Sequence, residues 1–195
     1  MSETYPDTHH DPYSNTTFGF WLFLITDFML FATIFAAYAV LHKSTFGGPS
    51  AKELLNIYDA FWQTLVLLAA GFTSGMAGAF VHRKNKMWAL IFFGLTFVLG
   101  AIFMWIEFVD FHELISAGHS WKTNAFLSAF FSLVGTHGVH ILFALLWTIV
   151  LIIPVFKQGI TPVSLKRLTC LRMFWQFCYI IWIFIFSIVY LMGGI

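Results

Sequence analysis

The residues GTHGVHIL, 135–142, place His137 and His140 three positions apart inside an otherwise apolar stretch. On a helix that spacing puts both imidazoles on one face, an arrangement from which haem and metal sites are often assembled. Gly135 and Gly138 beside them could seat a flat macrocycle. A haem spanning two helices needs a second axial ligand, however, and His9, His10, His42, His82, His112 and His119 fall in the amino-terminal tail, at the ends of apolar runs or in connections. A metal ion would find two ligands on this helix, with no Cys or carboxylate obviously free at matching depth. The pair is therefore expected to pack and hydrogen-bond. No catalytic, cofactor-binding or metal-ligating residue is expected in this chain.

The acids are the other candidates. Asp27 lies nine residues into the first apolar run, about 13 Å along a helix, where an exposed anion in lipid costs roughly 2.5–3.5 kcal/mol. It is expected to be protonated or turned inward, toward a lipid-filled or watered cleft of the bundle. Glu107, Asp110, His112 and Glu113 crowd the end of the third run. A binuclear centre would require Glu-x-x-His pairs on two helices, and position 110 is Asp with no matching set elsewhere. Asp110, His112 and Glu113 suit a solvated helix end. Glu107, one turn deeper, needs a partner, and His137 on the following helix is the expected one.

These side chains sit on elements that composition defines. Of 195 residues, 59% are hydrophobic and 10% charged, with 25 Phe, far from the about 45–50% apolar and about 25% charged of soluble domains. Crossing a hydrocarbon core of roughly 30 Å takes about 20 helical residues. Five runs qualify: 18–41, 60–81, 87–108, 125–155 and 171–192. The expected fold is an all-α integral membrane bundle of five transmembrane helices, with a polar tail over 1–17 and one membrane domain over 18–195. The third and fourth runs are long enough to tilt or project beyond the hydrocarbon.

Lys and Arg partition unevenly between the two sides. Arg83, Lys84, Lys86, Lys157, Lys166, Arg167 and Arg172 face only Lys43, Lys52 and Lys122 across the bundle, which predicts a cytoplasmic amino terminus and a periplasmic carboxyl terminus. The net charge of +1 is spread over separate loops and indicates no nucleic-acid partner. The tail lacks Lys and Arg and the first run is too long for a signal-peptide core, so it is expected to remain uncleaved. Cys170 and Cys178, eight apart on one helix, stand about 12 Å apart, beyond disulfide reach. Small residues recur every four positions at Gly71, Gly75 and Ala79, at Ala32 and Ala36, and from Asn124 through Ser128 and Ser132 to Thr136. Such rows predict close helix packing inside a compact bundle. The absence of an obvious repeat and of Gly/Pro breaks near midplane disfavours a proton-coupled transporter.

At FLSAFFSLVGTHGVHILFALLW the sequence resembles subunit III of the haem-copper terminal oxidases, most closely the five-span form of bacterial cytochrome o ubiquinol oxidases. FGFWLFLITDFMLFATIFAAYAVL, GGPSAKELL, EFVDFHELI and the terminal IVYLMGGI extend the likeness over nearly the whole chain. The resemblance implies an accessory subunit in the bacterial cytoplasmic (inner) membrane. Haem b, haem o and copper would then lie in subunit I, with subunits II and IV and phospholipid as further partners and ubiquinol and oxygen as substrates of the proton-pumping complex. Asp27 matches the family's intramembrane acid, Glu107 and Asp110 its paired acids, and His137 and His140 its His-Gly-x-His, all with structural, lipid- or proton-related roles. One departure stands out: where the family commonly has Trp-His-Phe, an apolar residue and Asp, this chain has Trp175-Gln176-Phe177-Cys178-Tyr179. A cytochrome c or menaquinol oxidase is the alternative, because the donor site lies on other subunits.

Overall fold

The computed structural model describes residues 12–45, 56–191 and 193. The tail with His9 and His10, the segment GGPSAKELL with Lys52, and Met192 fall outside these residues. Five helices run in order: α1 (Pro12–Leu41), α2 (Ile57–His82), α3 (Lys86–Ser116), α4 (Ala125–Gln158) and α5 (Pro162–Ile185), which continues as a π-helical segment, Phe186–Leu191. All five are long and apolar enough to cross a membrane, and no strand occurs among the described residues.

Local sequence sets the helix ends. Asn56 begins α2 by accepting from the Tyr58 amide at 3.1 Å, and Asn124 begins α4 by accepting from the Leu127 amide at 2.7 Å. Each satisfies an amide that the first turn leaves without an intrahelical acceptor. α4 passes through Pro154, near its end, and stops at Gly159, whose φ of 79° lies in the left-handed region. Thr161 then caps α5 by accepting from the Ser164 amide at 3.1 Å, with Pro162 in the first turn where a missing N–H costs nothing. The basic connection expected from hydropathy is therefore only 159–161, and Lys166, Arg167 and Arg172 ride on α5. Similarly, residues 12–17 belong to α1.

α2 packs against α3 and α5, and α4 packs against the same two, so α2, α3, α4 and α5 close a four-helix ring; α1 lies along the groove between α4 and α5. Interhelix hydrogen bonds stitch the ring: Trp175 Nε1–H donates to Thr148 Oγ1 at 3.1 Å, Trp182 Nε1–H to Thr64 Oγ1 at 3.0 Å, and the Thr73 and Thr96 hydroxyls meet at 2.8 Å. A buried indole brings a large apolar body but needs an acceptor for its N–H, and α2 and α4 each supply a threonine. The rings also need backbone room. A Cβ on Gly71 would stand 2.7 Å from Tyr179 Cδ1, and one on Gly100 would stand 2.5 Å from Trp175 Cη2. Tyr179 thus fits because residue 71 is glycine.

Among the described residues α1 buries only a stripe, Leu24, Asp27, Phe31 and Tyr38, whose spacing keeps one helical face inward. The small-residue rows behave differently from expectation. Ala32, Ala36, Ala79, Ser128 and Ser132 are exposed, and of the two glycines on α2 that began such a row Gly71 meets a large neighbour while Gly75 does not. Inside the ring, α2 instead turns Ser74, Ala77 and Gly78 inward.

Candidate functional site

Two polar centres form on different faces of α4. In the first, Asp27 of α1, 9% exposed, places Oδ1 3.0 Å from His140 Nε2. The other ring nitrogen, Nδ1, lies 2.7 Å from the Thr136 carbonyl. A carbonyl only accepts, so Nδ1 carries a hydrogen. One further proton then serves the contact between Nε2 and Oδ1, residing either on the imidazole as a cation facing a carboxylate or on the acid facing a neutral ring. Phe31 and Phe174 bracket the imidazole at centroid distances of 5.0 and 6.2 Å. Asp27 Oδ2 is buried without a partner. Asp27 is thus turned inward onto His140 of a neighbouring helix.

His137 takes the opposite course. Fully buried, it donates from Nε2 to the Cys178 carbonyl of α5 at 3.1 Å and leaves Nδ1 unpartnered. Phe103 meets its ring edge-on at 5.8 Å and Trp182 lies 5.2 Å away. The two histidines therefore serve different helices. A three-residue step turns about 60° short of a full circle, enough to aim one side chain at α5 and the other at α1.

The second centre surrounds Glu107 of α3. The expected Glu107–His137 hydrogen bond is not formed: His137 is engaged by α5, and the carboxyl lies over the neighbouring Gly138. A Cβ on Gly138 would come within 2.8 Å of Glu107 Oε1. The missing side chain makes the seat for the acid. Glu107 Oε2 is buried and unpartnered. One turn on, half-buried Asp110 accepts from Gln63 Nε2 of α2, while His112 and Glu113 are exposed.

Glu107, Asp110 and Gln63 line a cavity of about 300 Å³ at the end of the bundle where α2 starts and α3 finishes. Its wall includes Tyr190, delivered by the π-helical segment. Gln63, the Thr136 and Cys178 carbonyls and Tyr190 were not anticipated, and Gly138 was read as a seat for a macrocycle and not for an acid. Gln63 alone carried a signal, as an amide inside an apolar run. Backbone carbonyls and a glycine seat leave none.

Neither histidine offers an open ligand site of the usual kind. Both nitrogens of His140 are engaged, and His137 is enclosed by aromatic rings. Among the described residues no group of three or more His, Cys, Asp and Glu is placed to hold a metal ion. Cys170 and Cys178 are both free thiols.

Residues 2–194 match the family model described as cytochrome c oxidase subunit III. The cytochrome bo(3) ubiquinol oxidase subunit 3 of Pseudomonas aeruginosa is 44% identical, over 97% of this chain and 90% of the relative. Its namesake from Pseudomonas putida is 41% identical, over 94% and 89%. A protein named cytochrome c oxidase subunit 3 from Bacillus sp. strain PS3 is 43% identical, over 92% and 86%.

Proposed function

The chain belongs to the cytochrome c oxidase subunit III family of the haem-copper oxidases, and from that premise we propose that it is the accessory subunit III of a proton-pumping ubiquinol oxidase in a bacterial inner membrane. Its amino terminus faces the cytoplasm, following the excess of Lys and Arg at one end of the bundle. Residues 18–195 act as one membrane domain. Subunit I holds haem b, haem o and copper and carries the oxygen chemistry; subunits II and IV complete the assembly. The observation that carries this division of labour is the state of the imidazoles, which hydrogen-bond to Asp27, Thr136 and Cys178 and hold helices together. The ubiquinol branch is supported by the Pseudomonas relatives, which bear that name.

In this role the chain stabilises the catalytic subunit and retains lipid against it. The outward rows Ala32/Ala36 and Ser128/Ser132 support such a role, since small exposed residues let a neighbouring helix approach closely. Deleting the chain is expected to leave the haem spectrum and the initial oxidase rate largely intact. Activity should decay faster during turnover, and the complex should unfold at lower temperature, because a partner that binds the native state has been removed. A missing haem equivalent, or undiminished durability, would overturn the accessory role. The Bacillus relative named as a cytochrome c oxidase subunit favours a second reading. Oxygen consumption by the complex isolated through this chain separates the two: ubiquinol supports turnover in the first, reduced cytochrome c in the second.

A further inference from the structure

α2 and α5 meet in an antiparallel register that two glycines fix. Gly71 faces the ring of Tyr179, and Gly78 faces Arg172: a Cβ on Gly78 would run into Arg172 Cδ and stand 3.0 Å from Nη1. The guanidinium therefore lies across the α2 backbone, about one turn before that helix ends at His82, and its Nε is buried without a hydrogen-bond partner. About two turns separate the glycines on α2, and about two turns separate Arg172 from Tyr179 on α5. Between them Gly75 and Gln176 come level on the outer side, both half-buried, while Ser74 and Trp175 turn into the ring. A Cβ on Gly75 would meet nothing within 4 Å, so the groove between the two helices is open there. Leu68 and Ala79 on α2 and Ile180 on α5 border it and are exposed.

Among the described residues, Arg172, Gln176 and Tyr179 make no side-chain hydrogen bond or ion pair with the rest of the chain. Nor does an acid stand near Arg172: Asp27 is held by His140, and Asp59, Glu107, Asp110 and Glu113 gather where α2 starts and α3 finishes, at the other end of the bundle. A cation inside a membrane helix is costly without an acceptor, and the guanidinium fork matches a carboxylate. A lipid phosphate reaches only the level of Arg172. It leaves Gln176, about 6 Å deeper, and Tyr179, about 10 Å deeper, among acyl chains that offer no hydrogen bond. A second helix covers all three levels at once. It can approach closely at Gly75, where no side chain stands in the way, and close approach with polar contacts is what associates helices in lipid.

We propose that the outer α2–α5 groove is the docking face for a transmembrane helix of another subunit, which presents a carboxylate to Arg172 and a hydrogen-bonding side chain to Gln176. The proposal rests on the reading of this chain as one subunit of an oxidase complex, and oxygen consumption by the same preparation tests that reading apart from the docking face.

The test puts a benzophenone-bearing amino acid in place of Gly75, where space is open, irradiates native membranes and identifies the adduct by mass spectrometry of the isolated complex. The adduct should join this chain to an apolar segment of another subunit that carries Asp or Glu within about two turns of the cross-linked residue. Arg172→Glu should lower the amount of that subunit kept through detergent washing by about three- to tenfold, the range of interhelical polar contacts in lipid, and Gln176→Leu by about threefold. Replacing the partner's acid by Lys should restore retention in the Arg172→Glu complex, a rescue that a merely structural role for Arg172 would not give. The cross-link arm leaves Arg172 and Gln176 intact, so it decides the matter even where Arg172→Glu fails to assemble. Adducts to lipid alone, to a second copy of this chain or to a helix without an acid overturn the proposal, as does an Arg172→Glu complex that keeps its partner undiminished. Full oxidase activity with no protein adduct overturns the docking face and leaves the subunit reading in place.

Discussion

Gly138 and His140 are two residues apart on α4, about 200° around the helix, and the centres they serve resolve a buried acid in different ways. On the α1 side, Asp27 meets His140 at 3.0 Å and acid and base satisfy one another. On the α3 side, Glu107 is given a glycine to lie against, and one of its oxygens is left unpartnered. The helices around them differ in parallel. The most apolar stretch of α1 is 17% buried within the chain, against 44% for α2. Lipid supplies no hydrophobic drive to hold one apolar helix on another, so a poorly covered helix depends on shape and on polar contacts. Asp27–His140 is such a contact for α1. The ring is already tied by its Trp–Thr and Thr–Thr bonds, and it can carry an acid that does not cross-link it.

The sharpest way to break this contrast is Gly138→Leu. With a Cβ already in conflict with Glu107, a larger side chain should overpack the α3–α4 contact by about 3 kcal/mol, seen as a clear fall in melting temperature and yield of the complex. An unchanged melting temperature would mean that Glu107 is not seated there. His137→Leu comes next: losing its bond to the Cys178 carbonyl inside the ring should cost about 1–2 kcal/mol, measured by thermal unfolding in detergent.

A double-mutant cycle on Asp27→Leu and His140→Phe should give a coupling of about 0.6 kcal/mol, up to roughly 1.7. Each single change strands the other group, so the double variant should recover part of the loss. Limited proteolysis should show α1 loosened in the single variants while α2–α5 stay protected. Zero coupling would remove the pair as an anchor. Glu113→Gln, at the exposed rim, should stay within about 0.5 kcal/mol of the parent in the same melt. A larger effect would mean that the rim is covered in the complex.

Five apolar runs were legible because a helix in hydrocarbon must be apolar over its crossing length. Where the helices end was less so. Hydropathy marks the crossing and ignores the turns beyond it, which is why α5 begins at Pro162 and α1 at Pro12; the Thr161–Pro162 start was nonetheless written in capping chemistry. Asp27, Glu107 and the histidines stood out as polar groups in apolar runs. The carbonyl partners of the histidines did not, because Thr136 and Cys178 act through the backbone, which every residue has. The rows at Ala32 and Ser128 were visible as rows but not by direction, since small residues suit an inner contact and an outer docking face alike.

By itself, then, the sequence determined that the chain is five membrane-length helices with few charged groups, because composition and run length answer directly to the solvent around them. It carried the family resemblance too, in motifs spread along nearly its whole length. Tertiary structure alone decided that α2–α5 close a ring with α1 outside it, that His140 rather than His137 takes an acid, and that Glu107 rests on Gly138. The reason is rotational: one residue turns a helix by about 100°, so which side chain meets which partner depends on how each helix is rolled against its neighbours, and many rolls bury nearly the same apolar surface.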